Sequence, residues 1–469
     1  MHEDLCFADA TELARRIRDR EVSPVEVLSA HLERIEAVNP RLNAVVTLAD
    51  DAQDRARAAE HAVMKGEPLG PLHGVPFTCK DSLDVAGVRT TSGSKLFEHR
   101  IAARDAVAVA RLKQTGAIFM AKTNTPEFTL WWETDNRVFG RTNNPWNLDF
   151  IPGGSSGGEA AALVTGMSPL GIASDLGGSL RMPAHYCGVV GFKPTHGRVP
   201  LTGNFPSVLS RTSHVGPMAR TVRDAALALR LISGPDGADP WCVPVEPPTL
   251  PDRSTAPLRF RVGWLADGAF APVDPEVCTV VAQAAAALRA AGCDVEHVSL
   301  PVLESHDALT VSATAGTPDT GYALEPLVRG RESELSDVLQ RRLSGPWPDI
   351  REHAKALAEW EEIRRGMAAY FGTYDLLLCP TLPTPTYPHC QRELTIDGVT
   401  IKAPRLMNTV IPWNLTGSPA LSLPFGMSAS GLPIGVQLVG RHFDETTVLR
   451  AAMALERVSE VRGIRPPEG

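Results

Sequence analysis

Between Gly153 and Pro183 the chain reads GGSSGGEAAALVTGMSPLGIASDLGGSLRMP. A glycine-serine run by itself describes a flexible linker. Here it leads at once into EAAALVTGM, built of helix formers. PLGIAS follows, which reads as a buried strand before a second turn, Gly177-Gly178-Ser179. Glycines fixed between core elements supply unusual backbone geometry and close approach rather than flexibility. A turn, a helix, a strand and a second turn in one stretch point to an α/β sheet covered by helices.

The same alternation extends outward. Residues 75–79 predict a strand, 105–115 a helix and 117–121 a strand. Downstream, 259–265 and 294–300 predict strands around an alanine-rich helix at 277–291. Helical patterns run from about 306 to 371, broken near Pro346 and Pro348. Strands return at 375–379, 420–424 and 434–439, before a final amphipathic helix from Asp444. The first 65 residues read as helical. Ser23-Pro24-Val25-Glu26 forms a capping box with proline at the first helical position, and Asn39-Pro40 is expected to end that helix. We expect a single domain over 1–469, with a helical segment at 1–65 and a more variable, peripheral helical part from about 235 to 360. The Pro/Asp-rich stretch 234–255 is expected to cross the surface between lobes.

Composition bounds the function. Lys+Arg 46 against Asp+Glu 54 leaves a net charge of −8 with no Lys/Arg-rich run, so no nucleic-acid partner is expected. The values of 43% hydrophobic and 21% charged residues belong to an ordinary globular chain. The opening MHEDLCFADATELARRIRDR lacks the basic-then-apolar pattern of a secretory leader. Leu406 to Gly440 carries no charge, yet Pro412, Gly417, Pro419 and Pro424 interrupt it, and it reads as buried core rather than a membrane span. Eight cysteines are scattered without a CxxC pair, the pattern of reduced thiols in a cytoplasmic protein. Neither a metal nor a cofactor is expected.

The two glycine-serine turns carry the chemistry. Gly153-Gly154-Ser155-Ser156-Gly157 fits G-x-S-x-G, the turn that presents a nucleophilic serine in α/β-hydrolases. That reading requires a downstream acid and histidine. His297, His306, His389 and His442 exist, but none sits in a recognisable motif, and a histidine taken from thirteen is more often surface or core than a base. Ser92-Gly93-Ser94-Lys95 matches S-x-x-K, without the SDN or KTG that should accompany it. At the second turn, successive amides from Leu176 to Ser179 can converge as the donors an oxyanion requires.

Together these stretches carry a family resemblance. Gly153–Pro183 is similar, nearly position for position, to the defining segment of the amidase signature family. LHGVPFTCKDSLDVAGVRTTSGS (72–94) resembles the block that holds the family's catalytic lysine. AKTNTPEF, FGRTNNPWN, CGVVGFKPTHGRVP and LPIGVQLVGRHFDE resemble further blocks. The likeness covers most of the chain and is weakest between about Pro235 and Trp360. It implies the family's α/β fold, a large mixed central β-sheet surrounded by α-helices, and hydrolysis of a carboxamide C–N bond through an acyl-enzyme.

Carried onto this sequence, the family's Ser–cis-Ser–Lys triad falls on Ser179, Ser155 and Lys80. The resemblance makes Ser179 the nucleophile, Lys80 the base, and Ser155, preceded by a cis peptide in the family, the bridge between them. The chemistry is coherent, because a serine hydroxyl attacks only when a base takes its proton, and lysine is a base only when burial keeps it neutral. VPFTCK places Lys80 at the end of an apolar strand. The amides of Leu176, Gly177, Gly178 and Ser179 are the expected oxyanion hole. Ser156, Asp175 and Arg181 are expected behind it, the last two as a buried ion pair. Lys122 and Lys193 read as loop braces, and Cys187 as a packed thiol.

Where many family members have small residues, this chain has TLWWETDNRV. In members such as fatty-acid amide hydrolase this segment lines the acyl site, which places Thr129, Leu130, Trp131 and Trp132 at a substrate pocket. Trp131 and Trp132 either offer a stacking wall for an aryl group or simply fill core. The opposite wall is expected from 203–207 and 407–413, including Trp413. An aryl acylamidase or urethane-hydrolysing activity is the expectation, with esters open to the same chemistry. The alternative is the glutaminase component of a glutamine-dependent tRNA amidotransferase, its A-type polypeptide, which uses the same triad to release ammonia and needs a partner polypeptide. Behind it come an α/β-hydrolase with Ser155 as nucleophile and a catalytically dead binding protein. The expected partner is a small-molecule amide or carbamate, with no membrane span, in a monomer or homodimer.

Overall fold

PFTCK, IFMAKT and LGIASD are buried along their whole length, the pattern of strands covered on both faces by helices. The computed structural model describes residues 2–250 and 257–467. The first part of the chain supplies β1 (Val45–Leu48), β2 (Pro76–Lys80), β3 (Ile118–Thr123), β4 (Leu170–Asp175), β5 (Val190–Lys193) and β6 (His214–Ala219). The rest supplies β7 (Arg261–Trp264), β8 (Asp294–His297), β9 (Leu376–Pro380), β10 (Glu393–Ile396), β11 (Val399–Lys402), β12 (Ala420–Met427) and β13 (Pro433–Gly440). Eleven of them join one sheet in the order β1-β3-β2-β4-β6-β5-β12-β13-β9-β7-β8, and β10 pairs with β11 as a separate hairpin.

The sheet is mixed, as expected. β2 runs parallel to both β3 and β4, whereas β12 runs antiparallel to β5 and β13. The carboxyl ends of β2 and β4 therefore open on the same side, where α/β sheets place their ligands. Lys80 is the last residue of β2, and the 176–179 turn begins directly after β4.

Most elements stand where the sequence puts them, and the differences have physical causes. Ser23 and Glu26 close the expected capping box, but the helix runs over Pro24–Leu42, past Pro40. A proline in the last turn removes one hydrogen bond, and the helix ends instead on Asn43, left-handed at φ 52°. The 235–360 stretch, expected as peripheral and helical, contributes β7 and β8 to the end of the sheet as well as the helix Ala308–Val328. Part of the expected surface crossing, 251–256, lies outside the described residues. The uncharged 406–440 stretch forms a 3-10 turn, the short helix Ile411–Thr416 and the buried strands β12 and β13. No helix among the described residues is long and apolar enough to cross a membrane.

Candidate active site

Lys80 is fully buried, and its Nζ donates to Ser155 Oγ at 2.6 Å, Ser174 Oγ at 3.2 Å and Ser174 O at 3.3 Å. All three acceptors are neutral. Burial pulls the Lys80 pKa down to about 7, against the opposing pull of Asp175 and Glu159. The Gly154–Ser155 peptide is cis. Ser156 leans on the same anchor, its Oγ donating to Ser174 O at 3.4 Å. Ser174 was not singled out from the sequence, although its place at the end of a buried strand beside the second glycine turn is a readable signal.

Ser179 lies at the start of the turn before the helix Arg181–Cys187 and opens on a cavity of about 530 Å³ that Gly154, Leu176 and Gly177 also line. Its hydroxyl has no hydrogen bond to any described residue. The structure thus joins Lys80 to Ser155 directly and leaves the Ser179 hydroxyl open to the cavity that Gly154, next to Ser155, also lines.

Asp175 shapes the turn. Its carboxylate accepts from Gly178 N at 2.8 Å and Leu180 N at 3.0 Å, and pairs with the buried Arg181 guanidinium at 3.0 Å. Arg181 in turn donates to Val410 O, Gln437 and Asn414. Burial alone would raise the Asp175 carboxyl, but Arg181 and Asn414 hold it well below the ordinary carboxylate range. Gly178 is therefore corrected as an oxyanion donor: its N–H is already committed to Asp175, which leaves Leu176, Gly177 and Ser179. The two glycines also differ in need. Gly178 sits at φ +113°, and a Cβ there would lie 2.5 Å from Val410, whereas a Cβ on Gly177 would meet Ile411 at an ordinary 3.5 Å.

One wall of the cavity is aromatic. The Trp131 and Trp132 rings stack at 3.6 Å, with the Arg392 guanidinium 5.2 Å from the Trp131 centroid. Thr129 and Leu130 line the same wall. A Cβ on Gly154 would come within 2.8 Å of the Trp131 carbonyl, so this wall packs directly on the Ser155 loop. Trp413 is corrected: it is fully buried, donates to Thr409 O at 2.8 Å and meets Phe270 edge-on, away from the cavity. From its segment Met407 and Ile411 reach the cavity, and Leu209 does so instead of 203–207. Unexpected from the sequence is the opposite wall, which presents Thr310, Ala313 and Thr317 from Ala308–Val328. It also presents Arg342, the one charged side chain among the described lining residues. The Arg342 guanidinium has no partner among them.

The competing motifs lead elsewhere. Ser155 Oγ is wholly enclosed, with Lys80 as its partner. His306 bonds Glu362, His389 the Leu148 carbonyl, His442 the Thr416 carbonyl, and His297 packs on Trp264. Ser94 bonds Glu127, and Lys95 lies at the surface beside Glu98. Lys122 ties β3 to the Leu83 carbonyl, Lys193 ties β5 to Ser418 O at 2.5 Å, and burial pushes the Cys187 thiol up.

The likeness to known proteins runs the length of the chain. The Amidase family model matches residues 26–449. The A-type polypeptide of the glutamyl-tRNA(Gln) amidotransferase of Moorella thermoacetica is 36% identical over 490 aligned positions, covering 99% of each chain. An acylamidase of Rhodococcus erythropolis is 35% identical over 474, covering 97% of this chain and 96% of its own. Among solved structures, a bacterial aryl acylamidase of the amidase signature enzymes superposes with a TM-score of 0.88 at 29% identity, over 97% of this chain and 96% of that one. With an eleven-stranded mixed sheet of the same architecture and a family match over residues 26–449, the chain belongs to the amidase signature family, enzymes that act on carbon–nitrogen bonds.

Proposed function

We propose that the protein hydrolyses a carboxamide through an acyl-enzyme on Ser179. Lys80, neutral at its buried position, takes the Ser179 proton by way of Ser155 and returns it to the leaving amine. The amides of Leu176, Gly177 and Ser179 receive the oxyanion. The observation that carries this reading is the 2.6 Å contact between a solvent-free lysine and Ser155, beside a serine that faces the cavity. The paired tryptophans and neighbouring leucines support an aryl or other flat apolar acyl group, and the same carbonyl chemistry extends to carbamates and esters.

A second reading has its own support. Several relatives that match along nearly the whole chain are named as components of glutamyl-tRNA(Gln) amidotransferases, and they weigh towards ammonia release from glutamine for a partner. Arg342 in the cavity, without a partner among the described residues, suits the carboxylate such a substrate carries. The aromatic wall weighs against it.

Fluorophosphonate labelling with peptide mapping, in wild type and Lys80→Ala, tests the shared chemistry. An adduct on Ser179 that slows at least about a hundredfold without Lys80 is expected. An adduct on Ser155 indifferent to Lys80 would overturn the assignment. Anilides and glutamine then separate the two readings. Turnover of anilides with glutamine inert supports the hydrolase, and glutaminase activity lost in Arg342→Gln replaces it with the second.

A further inference from the structure

Glu159 is the third residue of the buried helix Gly157–Val164, a carboxyl group in a segment otherwise made of glycine, alanine, leucine and valine. It has no solvent exposure, and beyond its pull on Lys80 no role has been given to it so far. Its Oε1 accepts from Thr78 Oγ1, and its Oε2 accepts from Thr123 Oγ1 at 2.7 Å. Those two hydroxyls bracket Lys80. Thr78 lies two residues before it on the same face of β2, and Thr123 is its register partner on β3. The sheet leaves room for the group as well: a Cβ on Gly171, the β4 partner of Thr78, would fall 2.1 Å from Glu159 Oε1.

We propose that Glu159 is a positioning residue for the catalytic lysine, a buried counter-charge that steadies the Lys80 ammonium formed when Ser179 gives up its proton. This rests on the Ser179–Ser155–Lys80 reading above. The charges around it are few. Lys80 shares its face of β2, while Cys79 and its β3 register partner Lys122 lie on the opposite face of the sheet, from which the Lys122 charge still acts on it. From β4 Asp175 acts on Lys80, but Arg181 already neutralises it. From β6 His214 bonds the Asp175 carbonyl, and β1 brings no titratable group. Burial raises the Glu159 carboxyl to about 7, so lysine and glutamate titrate over the same range. In the anionic form Glu159 favours the ammonium, and in the neutral form it favours the free amine.

Glu159→Gln keeps the shape and removes the charge. The acid limb of the pH profile for Ser179 labelling by fluorophosphonate is then expected to move to lower pH by on the order of one unit, because Lys80 loses its proton more easily. The plateau rate is expected to fall, because the base is weaker. Thr123→Val is a second variant with an intact carboxyl. It removes a hydrogen bond to the charged form and should move the limb the same way by less. A slower plateau with an unmoved limb in both variants would reduce Glu159 to a structural tie and overturn the proposal. Wild-type enzyme that takes no label on Ser179 would instead overturn the catalytic reading on which it rests.

Discussion

The two sides of the cavity are built on opposite principles. At the ends of β2 and β4, Lys80, Ser155, Ser156, Ser174 and Asp175 have no solvent exposure, and each has a named partner. Across the cavity, the helix Ala308–Val328 offers Thr310 and Ala313 to solvent, and Arg342 has no partner among the described residues. A closed polar network is costly to alter, because any lost partner strands a buried group. A wall of half-exposed side chains can change at little cost. On the proposed function, reaction chemistry belongs to the closed network and substrate choice to the cavity walls around it.

The largest expected effect is at Asp175. Asp175→Ala strands the buried Arg181 charge and frees the Gly178 and Leu180 amides. A loss of about 3–5 kcal/mol in urea unfolding is expected, together with lost activity. Next, the paired glycines should separate. Gly178→Ala meets Val410 in a left-handed conformation and should lower kcat by about a hundredfold or more. Gly177→Ala should stay within about tenfold. Equal losses would show that the two glycines are not divided between conformational and spatial need.

The pH profile follows from the sign of the lysine shift. Burial lowers the Lys80 pKa to about 7, so the free base predominates above that pH and the ammonium below it. The value of kcat/KM should therefore hold between pH 8 and 9 and fall about tenfold per unit on the acid side. A flat profile down to pH 5 would remove Lys80 as the base. The smallest effect belongs to the open walls. Trp131→Ala should shift the preference between aryl and short aliphatic amides by roughly tenfold while leaving Ser179 labelling unchanged. A loss shared by all amides would place Trp131 with the chemistry instead.

The legible and illegible parts divide along the same line. The resemblance to the amidase signature family is what joined Lys80, Ser155 and Ser179 in one site, while strand patterns around residues 75–79 and 169–174 and the two glycine turns were legible in the residues themselves. That information is local, because each strand's burial shows in its own residues. The opposite wall is not local. Nothing in ALTVSATAGTPDT states which face of that helix will meet a serine 130 or so residues earlier, because periodicity gives a face and not its neighbour. Trp413 failed for a related reason, since its own helix turns Ile411 towards the cavity, beside Met407 from the preceding 3-10 turn, and Trp413 towards Phe270. Gly178 failed because the sequence counts amides but does not show which are already taken. Glu159 was visible as an acid within GGEAAALV, but its partners Thr78 and Thr123 come from two other strands.

The strand order also bears on how the molecule is made. β12 and β13 are the last of the described strands in chain order, yet they lie between β5 and β9 and join the two halves of the sheet. Until β12 has left the ribosome, β5 lacks that neighbour, and until β13 follows, Arg181 lacks Gln437. A nascent chain that already contains Lys80, Ser155 and Ser179 therefore has no completed cradle for the serine turn. On the proposed reading the acylating apparatus stays silent until β12 and β13 are in place, and for that interval β5 presents an open edge to other chains.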